Sequence, residues 1–255
     1  MRLLLYNIRY AAGTGLRFNF PVPGMGYLRN TSRNLSRIVR FIRDLDPDIS
    51  GLIEVDLGSL RSDRINQAQA IATAIGHDHV YQCKYGERSF NNRVPIVNKQ
   101  GNAFITGHEI QDRQFHYFDA GIKRLIMELQ LDGLSIFLVH LSVKYRHRHY
   151  QLGHLHSLVR QAANPVIVAG DFNTFWGDYE LHLFMEAAGL YSANADNLPS
   201  YPSWAPRREL DFVLYSRGIR KLDFRMPQVN FSDHLPLIFD FELEEPDANR
   251  PSGQV

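Results

Sequence analysis

From its first residues to its last apolar run, the chain alternates short strand-like segments with stretches of helical period. That alternation restricts it to a layered architecture in which sheets carry helices. Strand patterns fall at 2–8, 49–55, 79–85, 102–106, 124–131, 135–141, 166–169, 211–215, 220–225 and 235–243. Helical spacing is clearest in Leu35, Ile38, Val39, Ile42 and Leu45, with Thr31 as the capping residue and Pro47 as the stop. A second helix is expected after Asp63, with Ile65, Ala68, Ile71, Ala72 and Ile75 on one face and Gly76 at its end. Two more fit 145–161 and 178–188, the latter closed by Gly189, and Asp132-Gly133 joins two strand patterns as a hairpin turn. The pattern predicts mixed sheets with helices outside.

No linker, charge block or internal repeat divides the 255 residues, so one domain is expected over 1–243, followed by a polar tail over 244–255. The segment 11–30 stands apart, with Gly13, Gly15, Pro21, Pro23, Gly24 and Gly26 set among Phe18, Phe20, Met25 and Tyr27. Long loops of this kind often carry function. A net charge of +1, from 28 basic and 27 acidic side chains, excludes a global field of the kind that coats nucleic acid, so any affinity for phosphate must be local. Cys83 is the only cysteine, which excludes an internal disulfide and a cysteine-based zinc site. The first residues lack a signal-peptide pattern, and no run approaches the roughly 18 apolar residues that span a bilayer; a cytoplasmic location is the expectation.

The chemistry-bearing residues gather at strand ends. In Gly170-Asp171-Phe172-Asn173 a buried-type strand terminates in a carboxylate and a carboxamide two residues apart, which period two places on one side. An ionised Asp can bind a hard cation or activate water, and Asn can bind phosphoryl oxygen or ligate a metal; an Asx turn is the bland alternative. Ser232-Asp233-His234 sets an acid and an imidazole before the last strand, and the imidazole can polarise a phosphoryl oxygen or exchange a proton near neutrality. Glu54 ends an apolar strand, where it needs a cation or a salt bridge to Arg61 or Arg64. Asn7 ends the first strand as either a ligand or a turn residue. Asp211 opens a strand, and its natural client is His234, whose tautomer it would fix. His140 lies in an apolar strand, where a satisfied core histidine is the usual outcome.

Taken in order, Asn7, Glu54, His140, Asp171, Asn173, Asp211, Asp233 and His234 resemble the endonuclease/exonuclease/phosphatase superfamily, from Tyr6-Asn7 to Asp233-His234. The resemblance implies a four-layer sandwich, two mixed β-sheets packed face to face with helices on the outside, and a metal site where strand ends converge. It implies a Mg²⁺ ion, with Mn²⁺ as the substitute, held by Glu54 with Asn7 and Asp233 near the same ion. It implies that Asp171 activates water, Asn173 holds a phosphate oxygen, and His234 paired with Asp211 stabilises the transition state. His140 then touches phosphate or leaving group, and Asn102 and Arg124 are further phosphate contacts, Arg124 also reading as an exposed strand-end charge. Four acids converging without a cation would raise at least one pKa, by up to about 3 to 5 units if fully buried, and a divalent ion removes that penalty.

Substrate identity is less constrained. Arg61, Arg64, Lys84, Arg88, Arg93, Arg146 and Arg148 are candidates for a nucleic-acid groove, but acids balance them and no regular interleaving of basic and aromatic residues stands out. The aromatic residues of 11–30 suit an organic leaving group or a lipid surface, and Tyr201-Pro202-Ser203-Trp204 suits a cleft wall. The leading expectation is a phosphodiesterase on a small or lipid-linked phosphodiester, with no obligate protein partner. A nuclease on DNA or RNA is the alternative. A phosphomonoesterase or a non-catalytic binding protein ranks below both.

Overall fold

The computed structural model describes residues 1–14, 31–84, 99–118 and 125–244. Arg124, Arg88, Arg93, the 15–30 part of the glycine-rich segment and 245–255 of the tail lie outside the described residues. Among the described residues twelve strands form two sheets of six. In the first, β11 (Ile219–Arg225), β12 (Leu237–Leu243), β1 (Arg2–Asn7), β2 (Ile49–Asp56), β4 (Gln100–Thr106) and β3 (Asp78–Cys83) run in that order. In the second the order is β5 (Asp112–Tyr117), β6 (Leu125–Leu131), β7 (Leu134–His140), β8 (Val166–Asp171), β10 (Asp211–Ser216) and β9 (Leu190–Ser192). The pairs β1/β2 and β7/β8 are parallel and the others antiparallel, so both sheets are mixed.

Period two sorts the apolar strands into layers. Leu3 and Leu5 of β1 point between the sheets with Ile49, Phe104, Met127, Leu138, Ile167 and Phe239, while Leu4 and Tyr6 point the other way onto a helix pair. That pair is α1 (Ser32–Leu45), which buries Leu35, Ile38 and Ile42, and α2 (Gln67–Ile75), which buries Ala68 and Ile71. On the far side Phe137, Val139 and Val168 meet α3 (Tyr145–Gln161) and α4 (Tyr179–Ala188) through Leu152, Leu155 and Phe184. Helix, sheet, sheet, helix is the four-layer sandwich. Central strands buried on both faces read as unbroken apolar runs for this reason. Truncating an inter-sheet side chain such as Leu138 to Ala should cost about 2–5 kcal/mol.

Ten strands are anticipated by the sequence and twelve are present among the described residues. The two additional ones, β5 and β9, are the edges of the second sheet; β5 is Asp-Arg-Gln-Phe-His-Tyr and largely exposed, and β9 has three residues. Short or polar edges are how sheets avoid pairing with other chains, and they carry little periodic signal. The start of α2 also differs. Asp63 and Arg64 adopt left-handed backbone at φ 53° and 62°, so the helix begins later, and the Asn66 side chain accepts from the N–H groups of Ala68 and Gln69. Ile65 therefore lies outside the helix and is exposed. Thr31 precedes α1 without a side-chain cap, its hydroxyl lying 3.5 Å from the Arg61 carbonyl. Among the described residues no helix is long and apolar enough to cross a membrane.

Candidate active site

Register delivers half of the site. His140 at the end of β7 lies opposite Asp171 at the end of β8, and Asp171 lies opposite Asp211 at the start of β10. Gly170 permits the first of these pairings, because a Cβ there would fall 2.2 Å from the Val139 carbonyl oxygen. His140 is thus a buried strand-end residue facing a carboxylate. Its Nε2 is 3.3 Å from Asp171 Oδ2 and its Nδ1 is 4.0 Å from Glu54 Oε1.

Asp171 is buried and ringed by donors. The Asn173 N–H donates to its Oδ1 at 3.0 Å, and the Asn7 amide donates to its Oδ2 at 3.2 Å. His234 Nε2 stands 4.0 Å from the same oxygen. Asn173 adopts φ 53°, a left-handed backbone that Asn tolerates better than most residues. Its amide donates to the Leu141 carbonyl at 3.0 Å, which fixes the carboxamide plane. Behind it Arg148 is buried, ion-paired with Glu180, and donates to the carbonyls of Ser142 (3.2 Å), Val143 (3.0 Å) and Asn173 (2.8 Å).

His234 Nδ1 lies 2.7 Å from Asp211 Oδ2, which also accepts from the Ser200 hydroxyl at 2.7 Å. With Nδ1 spent on Asp211, Nε2 is the atom turned towards Asp171. Burial alone would depress the His234 pKa, but the carboxylates of Asp211, Asp171 and Asp233 outweigh it and hold the ring at about 10. The Tyr201 ring lies 5.0 Å from the His234 ring, and Ser203 hydrogen-bonds the carbonyls of Asp233 and Ser232. The segment around Tyr201 therefore packs on the site.

The first sheet supplies the remainder less tightly. Glu54 sits at a bulge of β2 against β4, with φ 58°. Its N–H donates to Asn102 Oδ1 at 3.3 Å, and Asn102 Nδ2 is buried without a partner among the described residues. Lys84 Nζ lies 3.5 Å from Glu54 Oε1 and donates to the Tyr10 hydroxyl at 2.8 Å. Asp233 meets Arg9 at 3.2 Å, and the Arg9 N–H donates to Asn7 Oδ1 at 3.1 Å. Burial pushes the Asp233 carboxyl up and Glu54 adds to the rise, while His234 and Arg9 oppose it.

All eight strand-end residues thus converge, with Asn102 supporting Glu54. The sequence reading passed over Arg9 and Lys84 as partners of the acids; Arg9 follows Asn7 by two residues, the one available cue. The alternative weighed for Glu54, a salt bridge to Arg61 or Arg64, is not formed among the described residues; Arg61 pairs with Asp56 at 2.6 Å. Of the anticipated groove cations, Arg61, Lys84 and Arg148 are buried, while Arg64 and Arg146 are exposed. The run Lys144-Tyr145-Arg146-His147-Arg148-His149-Tyr150 does interleave basic and aromatic residues, and that signal was missed.

The sequence profile of the Endonuclease/Exonuclease/phosphatase family matches residues 5–234. A UPF0294 protein of Vibrio parahaemolyticus is 33% identical over 99 residues, which is 37% of this chain and 34% of that protein. One of Yersinia pestis is 29% identical over 166 residues, 64% of this chain and 55% of that protein. The chain thus spans about a third to just over half of the curated relatives it matches. Among solved structures, an endonuclease/exonuclease/phosphatase from Beutenbergia cavernae superposes with a TM-score of 0.71 at 16% identity, covering 96% of this chain and 72% of that one.

Proposed function

Because this chain belongs to the endonuclease/exonuclease/phosphatase family, we propose that it is a divalent-metal-dependent hydrolase of phosphoester bonds, and within that class a phosphodiesterase that works by in-line attack of water. The observation that carries the reading is the setting of Asp171, a buried carboxylate within 3.2–4.0 Å of donors on Asn7, His140 and His234. A small phosphodiester is the form of substrate retained. The lipid-linked form leaned on Phe18, Phe20, Met25 and Tyr27, which lie outside the described residues.

The donor chemistry fits a hard divalent ion. Asn7, Glu54 and Asp233 offer carboxamide and carboxylate oxygens without sulfur, the set that Mg²⁺ or Mn²⁺ prefers. Arg9 and Lys84 approach at 3.2 and 3.5 Å, beyond the roughly 2.7–2.9 Å of a tight charge-assisted bond. The Asp233 carboxyl is raised chiefly by burial, with a smaller contribution from Glu54, against His234 and Arg9. A different grouping, Asp171, Asp211 and His234, brings three ligand atoms within 4.8 Å of one another. There, however, Asp211 and His234 are already hydrogen-bonded to each other at 2.7 Å, so we place the ion with the first set.

When bound, the ion would polarise the phosphoryl group and offset charge on the departing oxygen. Asp171 accepts a proton from water as the water oxygen bonds to phosphorus and the opposite phosphorus–oxygen bond breaks. His234 donates from Nε2 to a non-bridging oxygen as charge gathers there, with Asp211 holding the ring. Asn173 donates to another phosphate oxygen, and His140, between Asp171 and Glu54, faces the leaving group.

The test is hydrolysis of a chromogenic phosphodiester with Mg²⁺ or Mn²⁺ by the parent, Asp171→Ala and His234→Ala. Activity in the parent and its loss in both variants is expected. Equal rates in all three, measured above background, would remove the enzymatic reading.

A further inference from the structure

The loops that leave β7 and β8 carry catalytic side chains at their roots and a second feature further out. Lys144 follows His140 by four residues and Trp176 follows Asn173 by three. Between them lies a cavity of about 770 Å³, walled by Lys144, Tyr145, Arg146, Tyr150 and Trp176. Its size falls within the roughly 300–1,000 Å³ of small-ligand sites. Trp176, Tyr150 and Tyr145 are 77%, 66% and 61% exposed, an unusual concentration of bare rings beside one group of strand ends. Lys144 and Arg146 are exposed too, and neither pairs with an acid among the described residues.

The cavity is fastened to the candidate active site. Arg148, one turn into α3, donates to Val143 on one side of the cavity and to Asn173 at the root of the Trp176 loop. A ligand gripped here therefore has a fixed position relative to Asp171. Tyr145 and Tyr150 each meet His149 and Trp176 meets Phe175, yet all three rings stay largely exposed. Exposed rings beside cations form the pair of groups that recognises a nucleotide, because base–aromatic stacking supplies binding energy without needing a particular base, and Lys and Arg take the adjoining phosphate. A bilayer surface fits less well, since interfacial rings project from a convex rim, whereas these line an open cavity with two cations in its wall.

We infer that this cavity is a subsite for the nucleotidyl part of the substrate, a planar base with its neighbouring phosphate, while the scissile phosphate lies at Asp171. The inference rests on the phosphodiesterase reading for its catalytic consequence, but binding tests it separately. The chain has two tryptophans, Trp176 and Trp204, so a Trp204→Phe background leaves Trp176 as the only indole reporter.

Titrating that protein with adenosine monophosphate, with a short single-stranded oligonucleotide and with phosphatidylcholine–phosphatidylglycerol vesicles reads the occupant directly. Quenching by the nucleotide or the oligonucleotide is expected, weakened by Lys144→Ala/Arg146→Ala. Quenching by the strand alone, with steep salt dependence, identifies a nucleic-acid strand as the source of the nucleotide, and quenching by the monophosphate identifies a free nucleotide. A response to vesicles only, or to none of the three, overturns the subsite.

The kinetic arm compares a dinucleoside monophosphate with glycerophosphocholine, a diester without a ring. Trp176→Ala should raise KM for the dinucleotide by roughly 5- to 150-fold, the usual worth of one stacked base, and leave the ringless diester unchanged. Equal effects on both, or none on either, defeat the subsite while leaving the hydrolase intact. Nucleotide binding without turnover of any diester has the opposite meaning: the hydrolase reading fails and the subsite stands.

Discussion

The second sheet delivers His140, Asp171 and Asp211 from three neighbouring strands in register; hydrogen bonds of 2.7–3.0 Å hold Asp171 and Asp211, and His140 meets Asp171 at 3.3 Å. The first sheet delivers Glu54 from a bulge with left-handed backbone and steadies it through contacts of 3.3, 3.5 and 4.0 Å. One half of the site is assembled by the fold itself. The other brings Asp233 to 3.2 Å from Arg9 and Glu54 to 3.5 Å from Lys84. Strained non-glycine backbone costs about 1–3 kcal/mol and persists where the surroundings enforce it, which fits Glu54 at this position. On the proposed assignment of roles, the groups that handle water are held by strand register, and the acids proposed to hold the ion stand on a bulge and a loop.

The largest expected effect breaks the assembled half. Asp171→Asn keeps an acceptor for the Asn173 N–H but cannot take a proton, and kcat on a diester should fall by about 10³-fold or more. Raising Mg²⁺ or Mn²⁺ should not restore it. Recovery at high metal would move Asp171 into the other half and erase the distinction.

Next in size is Arg148→Met, which removes the cation that ties α3, α4 and Asn173 together and leaves Glu180 buried without its charge partner. Denaturant unfolding should show a loss of about 3–5 kcal/mol. Adding Glu180→Leu should return much of that loss, because two apolar groups need no pairing, while turnover stays low because Asn173 has lost its anchor. Full recovery of turnover in the double variant would mean that Arg148 matters for folding alone.

The other half is probed by metal. An ion that binds only the folded chain stabilises it by about 2.7 kcal/mol at a hundredfold excess over its dissociation constant. Glu54→Gln and Asp233→Asn should remove that gain in melting temperature, whereas Asp211→Asn should keep it. If Asp211→Asn removes it and Glu54→Gln does not, the ion belongs with Asp171, Asp211 and His234 and the two halves exchange roles.

The sequence disclosed the assembled half better than the other, and the reason is physical. Central strands buried on both faces give unbroken apolar runs, so Val166 to Ala169 announces a strand and Asp171 with Asn173 follows from it. The edge strands β5 and β9 escape notice because exposure leaves them polar or short. Glu54 is visible as a charge at the end of an apolar run, but its bulge and its contact with Lys84, thirty residues on, are tertiary facts. Arg148 was read as a surface cation because residue type gives no hint that Glu180 would meet it inside the protein.

The smallest effect concerns a carboxyl that supports the assembled half without a cation. Glu209 accepts from the Asn194 amide at 2.6 Å, and its carbonyl accepts from the Thr174 hydroxyl beside Asn173. Burial raises its pKa from 4.5 to about 7, with Asp178 and Asp211 adding to the rise and Asn194 opposing it. An acid raised on folding is held protonated more firmly by the folded chain, so its contribution to stability is present at low pH and is lost as pH rises from about 4.5 to about 7. Glu209→Gln keeps an acceptor for Asn194 and cannot ionise. Melting temperature measured across pH 5 to 8 should therefore decline less in Glu209→Gln than in the parent, and identical slopes would show that Glu209 ionises at no cost to the strand that carries Asp211.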